Sequence, residues 1–289
     1  MMHQSIKRYY SLTKPGVLYG NALTVAAGYF LAARGVIDVP LFLGVFIGSS
    51  LIIASACVIN NYLDQDIDAI MERTKKRAIV SGQIKGYRAV LFSAVLGLVG
   101  LATLVAYTNT LVVILGIVGF ITYVVFYGML SKRMTTHGTL VGSISGAIPI
   151  LAGYCAVTGV IDSGAILVFI ILFAWQFPEF YSIAIYRFKE YKAANIPLLP
   201  IVKGLRRTKI EILAYTYVFV IASLLLTFFG YTGLTYFTVM ASAGAYWVWL
   251  AVKGFSADDN DKWARKMFRF SMIIILVLCV MLSVGPLLP

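Results

Sequence analysis

Acidic residues are scarce in this chain: twelve Asp and Glu stand against twenty-four Lys and Arg in 289 residues, and charged residues of both signs make up only 12%. Cysteine is scarcer still. Cys57, Cys155 and Cys279 are the full set, none lies in a C-x-x-C pair, and each falls within an apolar run. Disulfide stapling and redox or metal thiol chemistry are thereby disfavoured, and the three read as small buried hydrophobes. Segments of about ten residues with alternating polarity are missing, which excludes a membrane β-barrel. Low-complexity linkers are missing too, so one domain over residues 1–289 is expected.

What remains is apolar. Hydrophobic residues make up 60% of the chain and the mean hydropathy is +0.88, more apolar surface than a water-soluble domain of this size can bury. Runs long enough to span a bilayer fall near residues 15–34, 40–60, 88–107, 111–130, 139–158, 164–183, 211–230, 234–252 and 269–287. The fold expected is an all-α membrane protein, a bundle of nine transmembrane helices. The first run follows a basic arm and is soon followed by a second, so it reads as a span and not as a cleavable signal peptide. With nine spans, 23 of the 24 Lys and Arg fall on one side and Arg34 alone on the other. By the positive-inside rule that side is cytoplasmic, with the N-terminus inside and the C-terminus outside. The net charge of +12 therefore reflects topology and carries no implication of nucleic acid. The loops on the opposite side are short, which puts any chemistry at the inner face or between the helices.

The stretch "CVINNYLDQDIDAIMERTKKR", residues 57–77, ends an apolar run with four acids followed by four bases. Asn60, Asp64 and Asp68 are four apart, which on a helix drifts by about 40° per step and sets them on one stripe about 12 Å long. Asp66 falls on the other side and reads as facing solvent. Three oxygen-bearing side chains in a row repel unless a cation lies against them. Carboxylates with an amide carbonyl suit Mg²⁺, which shares its remaining positions with water and phosphate oxygens; no Cys or His stands nearby to favour zinc. Arg73 and Arg77 are four apart and can share a face, which makes one or both of them candidate phosphate ligands. The bland reading is that the acids solvate a helix end and pair with Arg73, Lys75, Lys76 and Arg77. Against it stands the cost of ionisable groups at membrane depth.

A second polar edge follows the sixth span in "FAWQFPEFYSIAIYRFKEYKAANIPLLPIVKGLRRTK". Pro178 is expected to kink or interrupt its helix. Tyr186 and Glu190 are one helical step apart, with Arg187, Lys189 and Lys192 close by and Lys203 beyond an extended break. Lys132 and Arg133 sit at a third inner edge, ahead of Gly138, Gly142 and Gly146 at every fourth position, a pattern that more often marks close helix packing than a ligand contact. His137 lies at the same edge, where a lone histidine is usually an interface group.

"NNYLDQDIDAIMERTKKR" resembles the first signature of the intramembrane aromatic prenyltransferase superfamily. "LTKPGVLYGN", "HGTLVGSISGAIP", "GYCAVTG", "FKEYKAANIPLLPIVKG" and "WARKMFRFS" extend the resemblance over nearly the whole chain, and narrow it to the superfamily's haem-modifying branch. That resemblance implies a nine-helix bundle in the bacterial cytoplasmic membrane, with its active site on the cytoplasmic side. It implies Mg²⁺-dependent transfer of farnesyl from farnesyl diphosphate to a vinyl group of haem b, with addition of water. It also implies membrane lipid as the surrounding partner and handover of the product to haem A synthase or terminal-oxidase assembly. Asn60, Asp64 and Asp68 occupy the first acidic motif, and Arg73, Lys76 and Arg77 its basic tail. Tyr186 and Glu190 stand where the wider superfamily has a second D-x-x-x-D, so Asn60, Asp64, Asp68 and Glu190 are the metal-ligand candidates. Lys14, Arg73, Lys76, Arg77, Lys132, Arg133, Arg187, Lys192 and Lys203 are candidates for diphosphate or haem propionate. Many members of the branch read W-Q-x-P-H where this chain has Glu179 in place of the His, so that His137, Tyr181 or no axial protein ligand at all are the alternatives for contact with haem. Tyr62, Trp175, Phe177 and Tyr181 are candidates to face a carbocation with their rings, with bilayer-facing anchors as the alternative role for most of them. The rival readings are a sister enzyme prenylating a quinone precursor such as 4-hydroxybenzoate and, from another class, a cation-coupled transporter. The missing Asp at position 186 weighs against the first. The second is disfavoured because transport sites lie near the midplane on broken helices.

Overall fold

A computed structural model describes residues 2–289, with side chains from residue 4 onward, and these residues are helical with no strand. A short helix α1 (Met2–Leu12) leads through Lys14 into α2 (Pro15–Ala33), and a tight turn connects to α3 (Val39–Leu63). The short α4 (Gln65–Ile70) and an irregular segment precede α5 (Gly86–Tyr107). Next comes α6 (Thr110–Ile121), which continues as ten residues of π-helix, Thr122–Ser131. Two long helices follow, α7 (Gly138–Thr158) and α8 (Ser163–Tyr186), then the short α9 (Phe188–Ala193) and α10 (Leu199–Val202). The last long helices are α11 (Gly204–Phe228), α12 (Leu234–Lys253) and α13 (Asn260–Val284).

Eight helical segments combine the length and apolarity of membrane spans: α2, α3, α5, α6 with its π extension, α7, α8, α11 and α13. The 20-residue α12 falls outside that set, its apolar residues diluted by Thr, Tyr, Ser and Gly, yet it buries Tyr236, Met240 and Trp247 in the bundle. Hydropathy also places two boundaries too late. α11 begins at Gly204 and α13 at Asn260, each about two turns ahead of the apolar run, because Arg, Lys and Glu are good helix formers outside the apolar region. The expected interruption at Pro178 does not occur. α8 runs unbroken past it, and the Ser182 hydroxyl donates back to the Pro178 carbonyl at 2.5 Å. In hydrocarbon the remaining backbone bonds are too costly to give up.

The centre of the bundle is a ring of four helices, α2 on α7, α7 on α8, α8 on α13, and α13 back on α2. Lipid tails are as apolar as leucine, so such helices are held by close packing. The α2–α7 crossing shows how close. A Cβ on Gly28 would lie 2.1 Å from the Ile150 carbonyl oxygen, and one on Gly153 would lie 2.0 Å from that of Val25. The Gly138–Gly142–Gly146 series is divided among three neighbours: the Lys132 backbone, the Tyr127 ring and the Gln176 amide respectively. Gln176 bridges the ring at this point, donating to the Ser143 carbonyl at 3.0 Å. On the outside, α5 presents Leu91, Val95, Leu98, Val99 and Val105 as an exposed apolar face, as a lipid-facing helix must.

The two glycines of the α2–α7 crossing carry the first prediction. Gly153→Ala should destabilise the protein by about 1–3 kcal/mol, whereas Gly20→Ala, whose added methyl meets nothing within 4 Å, should not. Thermal unfolding of the detergent-purified variants compares them, and equal melting temperatures would refute the packing argument.

Candidate active site

α3 ends one residue before Asp64, whose φ of −92° and ψ of 10° break the helix before α4 begins. The N-x-x-x-D-x-x-x-D stripe therefore bridges two helices where one was expected. Its register survives because Asp64 N still donates to the Asn60 carbonyl at 3.0 Å and Asp68 N to that of Asp64 at 2.8 Å. All three side chains are buried: Asn60 is 2% exposed, Asp64 1% and Asp68 4%. Asp66 faces out as expected, but its carboxylate is held in a two-pronged pair by Arg133 at 2.6 and 2.7 Å. That hydrogen bonding keeps the Asp66 carboxyl below the usual range.

Each member of the stripe meets a different cation, and each cation comes from a different part of the chain. Lys14 donates to the side-chain oxygen Oδ1 of Asn60. Lys132 binds Asp64 Oδ2 at 2.5 Å, with Arg133 3.8 Å from Oδ1. Arg77 pairs with Asp68. Local backbone geometry delivers the first two. Lys14 sits in the left-handed region, φ 50°, just ahead of Pro15, a conformation that costs a non-glycine residue about 1 kcal/mol or more. Lys132 ends the π-helical turn, its N–H donating to the carbonyl of Tyr127 five residues back. Such segments recur at functional sites. Burial pulls the Lys14 ammonium down to about 8. Burial acts the same way on Lys132, but Tyr127, Asp64 and Asp68 outweigh it and raise that group above its ordinary value.

The second polar edge is brought alongside the first. Ile67 and Met71 of the first motif pack with Ala194, Ile196, Tyr191 and Leu198 beyond α8. Tyr186 and Glu190 do not share one helix, because Arg187, at φ −109° and ψ 22°, ends α8 between them. The Arg187 guanidinium serves both, lying 5.6 Å from the Tyr186 ring centre and 2.9 Å from Glu190 Oε1. Arg265 of α13 covers the same Tyr186 ring at 4.7 Å. Tyr191 sits within the electrostatic reach of Tyr127, Arg73, Lys132 and Arg187, its phenol pushed up by burial.

Other candidates are placed elsewhere. Arg73 and Lys76 line a cavity with Arg77, and Lys192 and Lys203 project from exposed positions. His137 precedes α7 with an exposed side chain. The Tyr181 hydroxyl is committed to Glu211 at 3.0 Å, Trp175 donates to the Ser271 carbonyl, and Phe177 stacks on Tyr215 at 3.6 Å. Tyr62 is 40% exposed. The aromatics beside the acids are instead Tyr123 and Tyr127, 5.6 Å apart on the π-helix, with Lys132 6.0 Å from the Tyr127 ring. Reading by composition passed over them, although "TYVVFYGMLSKR" sets two tyrosines at helical spacing just ahead of two bases.

Among the described residues no three His, Cys, Asp or Glu side chains converge as a self-sufficient metal site. Buried oxygens are nonetheless left over. Asp64 Oδ1 and Glu190 Oε2 have no hydrogen-bond partner, and a buried acceptor without a donor costs about 1–3 kcal/mol. Carboxylate oxygens of this kind, backed by an amide carbonyl, fit a hard divalent cation that completes its shell with water and phosphate. A rim of Lys and Arg beside them fits the phosphate.

The fold and site define a polytopic helical membrane protein with an acid and base constellation suited to a diphosphate. The sequence pattern of the UbiA prenyltransferase family matches residues 21–273, and the chain belongs to that family. It is 46% identical over 284 residues to the "Protoheme IX farnesyltransferase" of Photorhabdus laumondii, covering 98% of this chain and 97% of that protein. Two solved structures share the fold. A digeranylgeranylglyceryl phosphate synthase superposes with a TM-score of 0.82 at 21% identity, covering 98% of this chain and 99% of that one. A UbiA homologue from Archaeoglobus fulgidus bound to DMAPP and Mg²⁺ superposes with a TM-score of 0.71 at 14% identity, covering 96% and 99%.

The Lys132–Asp64 pair yields a prediction. Lys132→Met leaves a buried carboxylate without its cation and should destabilise the protein by about 3–5 kcal/mol. The double variant Lys132→Met/Asp64→Asn should recover most of that loss in unfolding measurements. A double variant no more stable than Lys132→Met would show that the pair is not what holds the two segments together.

Proposed function

We propose that this chain transfers the farnesyl group of farnesyl diphosphate to a vinyl group of haem b, with addition of water, to give haem O and diphosphate. The observation that carries the reading is the near-full-length identity to a protein named for that activity, joined to a buried acid stripe faced by lysine and arginine. In the reaction the allylic C–O bond of farnesyl diphosphate breaks, and the oxygen keeps the electron pair. The vinyl group attacks the farnesyl carbon, and the resulting cation is captured by water, which gives up a proton. Asn60, Asp64, Asp68 and Glu190 are the groups that would hold Mg²⁺, and when bound it supplies Lewis-acid neutralisation of the diphosphate oxygens. Lys14, Lys132 and Arg77 already face the stripe. With Arg133 and Arg187 at the rim, they stabilise the negative charge that grows on the leaving group, while Arg73, Lys76, Lys192 and Lys203 lie farther out. Tyr123 and Tyr127, beside Asp64, offer ring faces to the cation. His137 and Tyr181 are less suited to contact haem, one being exposed and the other bonded to Glu211.

The proposal extends to topology. α12 is counted as the ninth span, which puts 23 of 24 basic residues on one side. That assigns the N-terminus and active site to the cytoplasmic face of the bacterial inner membrane and the C-terminus to the far side. The chain acts as one domain, and its product passes to haem A synthase or terminal-oxidase assembly.

Purified protein given Mg²⁺, farnesyl diphosphate and haem b should form hydroxyethylfarnesyl haem, seen by mass spectrometry, and lose the activity on chelation of the metal. Prenylated 4-hydroxybenzoate in a parallel tube, without haem product, would transfer the chain to the quinone-precursor branch. Asp64→Asn and Asp68→Asn should each lower turnover by about a hundredfold or more in protein that still folds and inserts; activity retained by both sinks the metal–diphosphate assignment. Glu190→Gln should be impaired less than Asp64→Asn, since its edge offers a single carboxylate. Equal losses would argue for two full metal sites.

A further inference from the structure

Around α3 from the acid stripe lies a cavity of about 510 Å³ between α1 and the irregular segment before α5. Lys7 and Arg8 of α1 line it together with Arg73, Lys76, Arg77 and Asn61, and no acidic residue does. Among the described residues Lys7, Arg8, Arg73 and Lys76 make no ion pair; Arg77 alone is neutralised, by Asp68 on its other side. Topology explains why bases lie on this side of the membrane, but it does not require five of them to converge on one cavity, where they repel unless an anion enters.

Asn61 supplies an independent observation. It is 2% exposed, and its Nδ2 is fully used, donating to the Leu12 carbonyl at 2.7 Å and to that of Cys57 at 3.1 Å. Its Oδ1 is buried with no partner. Asn61 lines the same cavity as the cations, and a ligand that presents anionic oxygens and a hydroxyl together would satisfy both. Asn61 stands about 100° around the helix from Asn60, so this cavity opens on a different face of α3 from the acids. α1 points Ile6 and Tyr10 outward, at 63% and 45% exposure, in the manner of a helix lying in the headgroup layer.

We infer that this cavity is a second anion site, which holds the phosphate and hydroxyls of a glycerol-type anionic lipid headgroup. The assignment does not rest on the reaction proposed above, because it is read by lipid binding. The test uses the full-length protein in detergent, titrated with phosphatidylglycerol or phosphatidylcholine and followed by native mass spectrometry, with farnesyl diphosphate binding measured by calorimetry. Phosphatidylglycerol should bind about tenfold more tightly than phosphatidylcholine, and Lys7→Gln/Arg8→Gln should remove that preference. The same variant should bind farnesyl diphosphate as the parent does. A control, Lys253→Gln/Lys266→Gln, removes two bases elsewhere and should keep the lipid preference. Equal binding of the two lipids, an equal loss in the control, or a parallel loss of farnesyl diphosphate binding would each overturn the site. A further arm adds inorganic phosphate. Its displacement of the lipid at low millimolar concentration would overturn the lipid source in favour of a soluble phosphate.

Discussion

A carboxylate buried at the end of a membrane span cannot stand alone, and one end of this bundle is organised around that fact. Asp64 and Asp68 are almost wholly removed from solvent, and the idealised cost of such burial is of order 20 kcal/mol per ion before compensation. Compensation arrives from far along the chain. Arg77 is nine residues from Asp68, but Lys132 is 68 residues from Asp64 and Lys14 is 46 from Asn60. The charges thus act as long-range clamps that fix the ends of α2, α3 and α6 against one another. In the proposed reaction, a diphosphate entering with a divalent ion would exchange partners with a network already in place and need not create one.

Much of this was legible in residues. The stripe of Asn60, Asp64 and Asp68 is set by spacing alone, and their burial and the cations beside them match the argument that three oxygens on one face need positive charge. The all-helical, multi-span architecture follows from apolar runs that cannot be water-soluble. Less legible were features that depend on where the backbone departs from an α-helix. The break at Asp64, the π-helix after Ile121 and the left-handed Lys14 have no strong signature in composition, yet they decide which base meets which acid.

Aromatics were the least legible part. Trp175, Phe177 and Tyr181 occupy one helix beside the second motif, and sequence proximity makes them attractive as groups facing a cation. Each is instead engaged in helix packing, through Ser271, Tyr215 and Glu211. Tyr123 and Tyr127 read as ordinary members of an apolar run, and only the widened turn carries them to the acids. The run at residues 234–252 does form α12, which buries Tyr236, Met240 and Trp247 although its Thr, Ser and Gly leave it less apolar than the eight segments above.

The 68-residue separation of Lys132 from Asp64 also has a meaning in time. At about 5–20 residues per second of synthesis, Asp64 waits several seconds after it is made before its partner exists. Through that interval the carboxylate has to remain hydrated. Its place just beyond the last residue of α3, and not a turn or two deeper, leaves it at the end of the apolar span, where water is within reach as the helix inserts. The site is therefore closed only when the π-helical segment arrives and brings Lys132 down onto it, so that assembly of the chemistry is tied to insertion of the fourth long helix.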